Sequence, residues 1–296
     1  MLTATLIASP GLLDPALAES LRNAWGGGDL VWLAPDEAAE FEMETIPDTA
    51  ETSWTALQGQ SVDLAIQPSG GRRKAMLLAD MDSTMIQQEC IDELAVVAGV
   101  GAQVKEITAR AMNGELDFEG ALLERVALLK GLPVSVIAEV LRNRISLMPG
   151  GPTLLVRIRA PGVHTALVSG GFTAFTAPVA QALGFQTHRA NTLLATNGHL
   201  TGDVARPILG REAKIAALKE ITADLGLSET DVLAVGDGAN DLGMLQLAGT
   251  GVALHAKPSV QAQAKLRINH GDLTALLYLQ GYSREAFVTP EDPVLA

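Results

Sequence analysis

The chain has 296 residues, enough for one large domain or two smaller ones, with 48% hydrophobic residues, 4% aromatics and a mean hydropathy of +0.23. A formal net charge of −13 and no long basic block argue against a general nucleic-acid binder, whose affinity rests on phosphate neutralisation. No apolar stretch approaches the roughly 18–20 residues that span a bilayer, residues 1–18 lack a basic start, and the single cysteine, Cys90, excludes an intramolecular disulfide; together these predict a cytoplasmic protein.

In chain order, residues 3–8 read as a strand and 15–25 as a helix, ended by Gly26-Gly27-Gly28. Residues 29–33 and 40–45 are weaker strands, 49–57 a helix and 62–66 a strand. A β-α-β-β-α-β order is that of a ferredoxin-like unit, predicted over 1–70. The turn-rich Pro68-Ser69-Gly70-Gly71-Arg72-Arg73-Lys74 follows as a boundary, its three basic residues reading as a solvated linker.

From Ala75 the pattern changes. Short apolar strands at 75–79, 164–168, 187–190, 231–235 and 251–254 alternate with helical stretches such as 173–183 and 211–225. This predicts an α/β fold, a doubly wound parallel sheet with helices on both faces, over 75–285, with 286–296 as a tail. The connection after the first strand is far longer than a crossover needs. Helical patterns at 91–98, 104–112, 118–130 and 134–142 make it a helical cap inserted at about 89–148.

Polar residues cluster where the strands stop. Asp80 and Asp82 follow Met76-Leu77-Leu78-Ala79, and two residues at i and i+2 of a strand point the same way. Paired carboxylates at a buried strand end call for a hard cation between them or a proton on one of them. Ser169-Gly170-Gly171 offers a hydroxyl and close backbone N–H groups to an anion, and Lys214 a point charge for a phosphoryl group. Gly236-Asp237-Gly238-Ala239-Asn240-Asp241 adds further hard ligands. Alone, each has a plainer reading as a turn, a helix cap or a solvated lysine; in order, each near a strand end, they are the parts of metal-assisted phosphoryl transfer. The five histidines form no close pair for zinc, Ser169 lacks the preceding glycine of a serine-hydrolase elbow, and no G-x-x-x-x-G-K-[ST] loop is present. Cys90, in an apolar stretch, reads as a packed thiol rather than a reactive one.

These four stretches resemble the four motifs of the haloacid dehalogenase-like hydrolases. Gln88-Glu89-Cys90-Ile91-Asp92-Glu93, Met112-Asn113-Gly114-Glu115-Leu116-Asp117-Phe118, Glu124-Arg125-Val126 and His255-Ala256-Lys257-Pro258 are similar to the phosphoserine-specific branch of that family; the likeness covers about residues 75–280. The resemblance implies Mg²⁺-dependent hydrolysis of O-phospho-L-serine, the last step of serine biosynthesis. In that reading Asp80 is the nucleophile that becomes an aspartyl-phosphate, and Asp82 the general acid and base. Asp80, the Asp82 carbonyl and Asp237 hold Mg²⁺. Ser169, Gly170 and Lys214 hold the phosphoryl oxygens, Asn240 lines their side, and Asp241 orients Lys214 or a metal-bound water. Glu89 pairs with the substrate ammonium and Arg125 with its carboxylate, while Met112 and Phe118 exclude water. The plainer reading of Glu89 and Arg125 is as exposed helix charges.

Three rival readings remain at this level: a phosphotransferase passing the phosphoryl group to an alcohol such as homoserine, a non-catalytic sensor of phosphorylated amino acids, and a phosphatase for another small phosphomonoester. The N-terminal unit resembles amino-acid-binding ACT-type modules in element order. Serine binding there, or a packing or homodimerising role, are both left open; neither a nucleic-acid nor a membrane partner is expected.

Overall fold

Asp14 opens the first helix by accepting a hydrogen bond from the Ala16 N–H at 2.8 Å, with Pro15 pre-setting the first turn. In the computed structural model, which describes residues 1–112 (Met112 by its backbone only), 115–291, 293 and 295, this helix belongs to the run β1 (Leu2–Ile7), α1 (Pro15–Ala24), β2 (Val31–Ala34), β3 (Ala38–Met43), α2 (Ala50–Gln58) and β4 (Asp63–Pro68). The strands form an antiparallel sheet in the order β2-β3-β1-β4, that of a ferredoxin-like unit. Ala4, Leu6, Phe41 and Leu64 pack with Ala18 of α1 and Leu57 of α2. Ile7, Leu33, Ala38 and Ala65 instead join the main core.

Next come β5 (Met76–Ala79), the cap helices α3 (Cys90–Val97), α4 (Gly101–Met112), α5 (Phe118–Ala127) and α6 (Ser135–Arg144), then α7 (Gly151–Arg159), β6 (His164–Phe172), α8 (Thr173–Leu183), β7 (Thr187–Asn191), β8 (Leu193–Thr196), β9 (His199–Val204) and α9 (Arg211–Asp224). The run closes with β10 (Val232–Gly236), α10 (Leu242–Leu247), β11 (Thr250–Leu254), α11 (Pro258–Gln261), β12 (Leu266–Ile268) and α12 (Ala275–Leu279). The main sheet is parallel, in the order β12-β11-β10-β5-β6-β7. Its central strands β5, β10 and β11 are buried on both faces, as a covered parallel sheet requires, while the edge strand β7 is polar. Met76, Leu78, Ala166, Val168, Val232 and Ala234 pack with Leu218 and Ile221 of α9 and Leu245 of α10. The alternate residues Leu77, Ala79, Leu167, Leu233 and Val235 face the side of α7, α8, α12 and the cap. Among the described residues no helix is long and apolar enough to cross a membrane.

Several elements depart from expectation. The strand read over 164–168 continues through the glycines to Phe172. β12, α7 and the β8–β9 hairpin were not legible; the hairpin packs on α5, where a Cβ on Gly202 would meet Ala127 and Lys130. The basic residues before β5 are not a solvated linker. Arg72 makes a bidentate pair with Glu40 at 2.6 and 3.0 Å, Arg73 lies 4.4 Å from the Tyr282 ring centre, and Lys74 Nζ donates to the Thr230 carbonyl at 2.9 Å.

The two sheets are further tied by Asp63, whose fully buried carboxylate accepts the backbone N–H groups of Asn269, His270 and Gly271 at 2.7, 3.0 and 2.8 Å. Asp63→Ala strands three amides at once. It is expected to destabilise the chain by about 2–4 kcal/mol, read as a lower urea midpoint at unchanged slope.

Candidate active site

β5 leads to β6 on one side, and the chain returns at β10 on the other, so the ends of β5 and β10 form the crevice where an open parallel sheet binds ligands. Asp80 is the first residue past β5 and Asp237 the first past β10; the Asp80 N–H donates to the Val235 carbonyl at 3.0 Å. Asp80 Oδ1 accepts from the Met81 N–H at 2.8 Å and from Lys214 Nζ at 2.7 Å. Lys214, 1% exposed on α9, also reaches Asp241 Oδ1 at 2.5 Å. Asp241 is held in turn by the Gly238 N–H, which donates to Oδ2 at 2.9 Å.

Carboxylate oxygens of Asp80, Asp237 and Asp241 lie within 4.8 Å of one another. Burial, then the charge of Asp241, raises the Asp80 carboxyl well above its usual range, against the pull of Lys214. The same two causes push Asp237 up to about 6. Burial alone would lower the Lys214 ammonium, but Asp80 and Asp241 outweigh it and keep it protonated. Three carboxylates against one ammonium leave an excess of buried negative charge, and all the donors are hard oxygens; this fits a divalent cation of the magnesium type.

The Asp82 side chain is not in that cluster. The strand ends at Ala79, so the i, i+2 alternation does not govern Asp82. Its Oδ1 accepts the Cys90 N–H at 2.9 Å and its Oδ2 the Ser169 hydroxyl at 3.1 Å. Burial raises its carboxyl, against these two donors. The chain turns there through Ser83, a non-glycine residue at φ 54°, whose hydroxyl donates to Glu89 at 2.8 Å. Ser169 and the two glycines lie inside β6, at a bulge. Pairing with β7 moves from Val168–Arg189 to Phe172–Asn191, so three residues of β6 stand over one of β7. The Gly171 N–H donates back to Ser169 Oγ at 2.8 Å.

A cavity of about 640 Å³ joins this floor to the cap. Asp80, Asp82, Ser169, Gly170, Asp237 and Asn240 line it below, and Glu89, Phe118 and Arg125 from the cap. Glu89 exposes its carboxylate to the cavity, and burial by the surrounding protein followed by the charge of Asp82 raises it to about 7. Arg125, half-buried on α5, donates through Nε to the Ala121 carbonyl at 3.1 Å. Phe118 sits on the floor: a Cβ on Gly170 or Gly210 would come within 3.0 Å of its ring. The Met112 side chain lies outside the described residues. Lys214 and Asp241 lie beneath the floor rather than on the cavity lining. Cys90 is buried under Asp82.

Sequence reading missed Thr84, whose hydroxyl donates to Asp237 at 3.0 Å, and Arg211, which lines the cavity. Lys257, within a string quoted above without a role, lines it too. It also missed Asn191, for which no spacing or motif gave a signal.

Residues 77–246 match the family described as haloacid dehalogenase-like hydrolase. The phosphoserine phosphatase of Streptomyces coelicolor is 42% identical over 258 residues, 85% of this chain and 62% of that protein. That of Streptococcus thermophilus is 46% identical over 200 residues, 68% of this chain and 93% of that protein. A solved HAD family hydrolase from Salmonella enterica serovar Typhi superposes with a TM-score of 0.85 at 30% identity, covering 94% of this chain and 97% of that one. The chain spans between 55% and 65% of the length of the first curated relatives it matches.

Proposed function

We propose that this chain, which belongs to the haloacid dehalogenase-like hydrolases, hydrolyses O-phospho-L-serine to L-serine and phosphate with Mg²⁺ as cofactor. The observation that carries the substrate is the pairing of a carboxylate, Glu89, with a guanidinium, Arg125, in the cap of one cavity whose floor holds Asp80 and Ser169. A phosphorylated amino acid presents the complementary ammonium, carboxylate and phosphate.

Asp80 Oδ1 is taken up by Lys214 and the Met81 N–H, which leaves Oδ2 to attack phosphorus. With Asp82 protonated, the Ser169 hydroxyl can donate to a phosphoryl oxygen beside the Gly170 N–H, and Lys214 favours the ionised nucleophile and balances its charge. Asp82, raised by burial, protonates the serine oxygen as the P–O bond breaks and then takes a proton from the water that cleaves the aspartyl-phosphate. Asp80, Asp237 and the Asp82 backbone carbonyl would hold the Mg²⁺, which when bound neutralises charge on the transferring phosphoryl group. Phe118, seated on Gly170 and Gly210, keeps water from the site during the first half-reaction. For the N-terminal unit, the Asp63 and Arg72 contacts favour a packing role over a separate amino-acid sensor.

Glu89→Gln and Arg125→Ala test the substrate. Each is expected to lower kcat/KM for phosphoserine on the order of 10²–10³-fold, because the substrate's ammonium or carboxylate is then desolvated in the cavity without its opposite charge. Hydrolysis of p-nitrophenyl phosphate, which lacks both groups, should change by less than about threefold. Equal losses on both substrates would remove the assignment of the cap.

A further inference from the structure

We propose that Asn191 is a positioning residue that locks the phosphoryl-binding bulge of β6 to the entry of the lysine-bearing helix α9. Asn191 closes β7, is 2% exposed, and makes no contact with the cavity. Its side-chain amide donates to the Gly170 carbonyl at 2.9 Å and to the Leu209 carbonyl at 3.1 Å, and its Oδ1 accepts the Leu209 N–H at 2.7 Å. Every hydrogen-bonding group of the side chain therefore goes to one of two backbone segments of the site.

The position explains why this matters. Asn191 stands opposite Phe172, directly after the bulge, where the sheet no longer holds Gly170 by ladder pairing. Fixing the Gly170 carbonyl fixes the peptide plane that carries the Gly171 N–H. That N–H donates to Ser169 Oγ, and the hydroxyl donates on to Asp82. The opposite side of the clamp holds Leu209, next to Gly210, and α9 starts at Arg211 with Lys214 in its first turn. Gly170 and Gly210 are also the two residues against which the Phe118 ring rests. One amide thus sets the spacing of the anion donors and the buried lysine.

The inference rests on the phosphatase reading, but any phosphomonoester that turns over serves as its readout. Asn191→Asp is nearly isosteric and replaces two N–H donors by an acceptor that faces two carbonyls. Asn191→Thr keeps a single hydroxyl donor and guards against a failure of the first variant to fold. Thr176→Val is the control, since Thr176 is fully buried beside the same strand and bonds His188 at 3.0 Å away from the cavity. In folded Asn191→Asp, kcat is expected to fall on the order of 10²-fold, as for a small misplacement of a reacting group. The inhibition constant for orthophosphate, which reads the floor alone, should rise about tenfold, while that for L-serine, which reads Glu89 and Arg125, should move less than about twofold. Asn191→Thr should lie between, and Thr176→Val should leave all three unchanged. Parallel weakening of phosphate and serine, or a kcat of the Asn191 variants matching that of Thr176→Val, would overturn the assignment. Failure of the unaltered chain to turn over phosphoserine, with the Asn191 pattern intact on another phosphomonoester, would remove the substrate and leave the clamp.

Discussion

Asp80→Asn is expected to abolish phosphoserine hydrolysis, by about 10⁴-fold or more, without weakening the fold. An amide is not a nucleophile toward phosphorus, so the covalent route is lost, not slowed. The variant keeps an oxygen for the Met81 N–H and Lys214, the two partners of Asp80 Oδ1. The sign of the stability change follows from the carboxyl itself. Burial and Asp241 raise it above its unfolded value, so near pH 7 the charged form is less favoured in the folded chain than in the unfolded one. A neutral side chain removes that penalty. With magnesium chelated, the melting midpoint at pH 7 should therefore stay level or rise; thermal melts beside phosphate-release assays check both halves. Residual activity above about 1% of the parent would show that Asp80 is not the nucleophile.

Lys214→Met is expected to cost both stability and activity. It removes the ammonium that Asp80 and Asp241 share and leaves these two buried carboxylates, with the half-buried Asp237 beside them, without a counter-charge. Breaking a buried pair in this way costs about 3–5 kcal/mol, far more than loss of an exposed ion pair. Added Mg²⁺ should then raise the melting midpoint of the variant more than that of the parent, because a cation bound to the folded state replaces part of the missing charge. Turnover should stay at least about 10³-fold down even with saturating Mg²⁺, since no group balances the nucleophile. A variant as stable as the parent, or one indifferent to Mg²⁺, would contradict this electrostatic account.

Part of the cavity floor was legible because Asp80 and Asp237 sit directly after buried strands, which announce themselves as apolar runs, whereas Ser169 lies inside β6 and Lys214 on α9. Met76–Ala79 and Val232–Gly236 are buried throughout, so Asp80 and Asp237 stand out at their ends. The cap was legible through helical spacing in a connection too long for a crossover. Elements without such a signal were missed. β12 is three residues long, too short to show a period, and β8 exposes three of its four residues, leaving no apolar face to read. The direction of the Asp82 side chain depends on where β5 stops and on the left-handed backbone at Ser83, and neither is a property of composition. Asn191 acts wholly on backbone atoms, so the residues it holds carry no complementary side-chain pattern. The basic run at Arg72-Arg73-Lys74 misled because linkers are usually solvated; here its partners, Glu40, Tyr282 and Thr230, come from distant segments.

Hydrolysis of a phosphorylated amino acid is decided by following phosphate and serine together from O-phospho-L-serine, with and without Mg²⁺ and with homoserine added as acceptor. Mg²⁺-dependent release of phosphate and serine in equal amounts, unchanged by homoserine, is the expected result. Serine without matching phosphate, with phosphohomoserine formed instead, would make the chain a phosphotransferase; no turnover at any Mg²⁺ concentration would contradict the catalytic reading altogether.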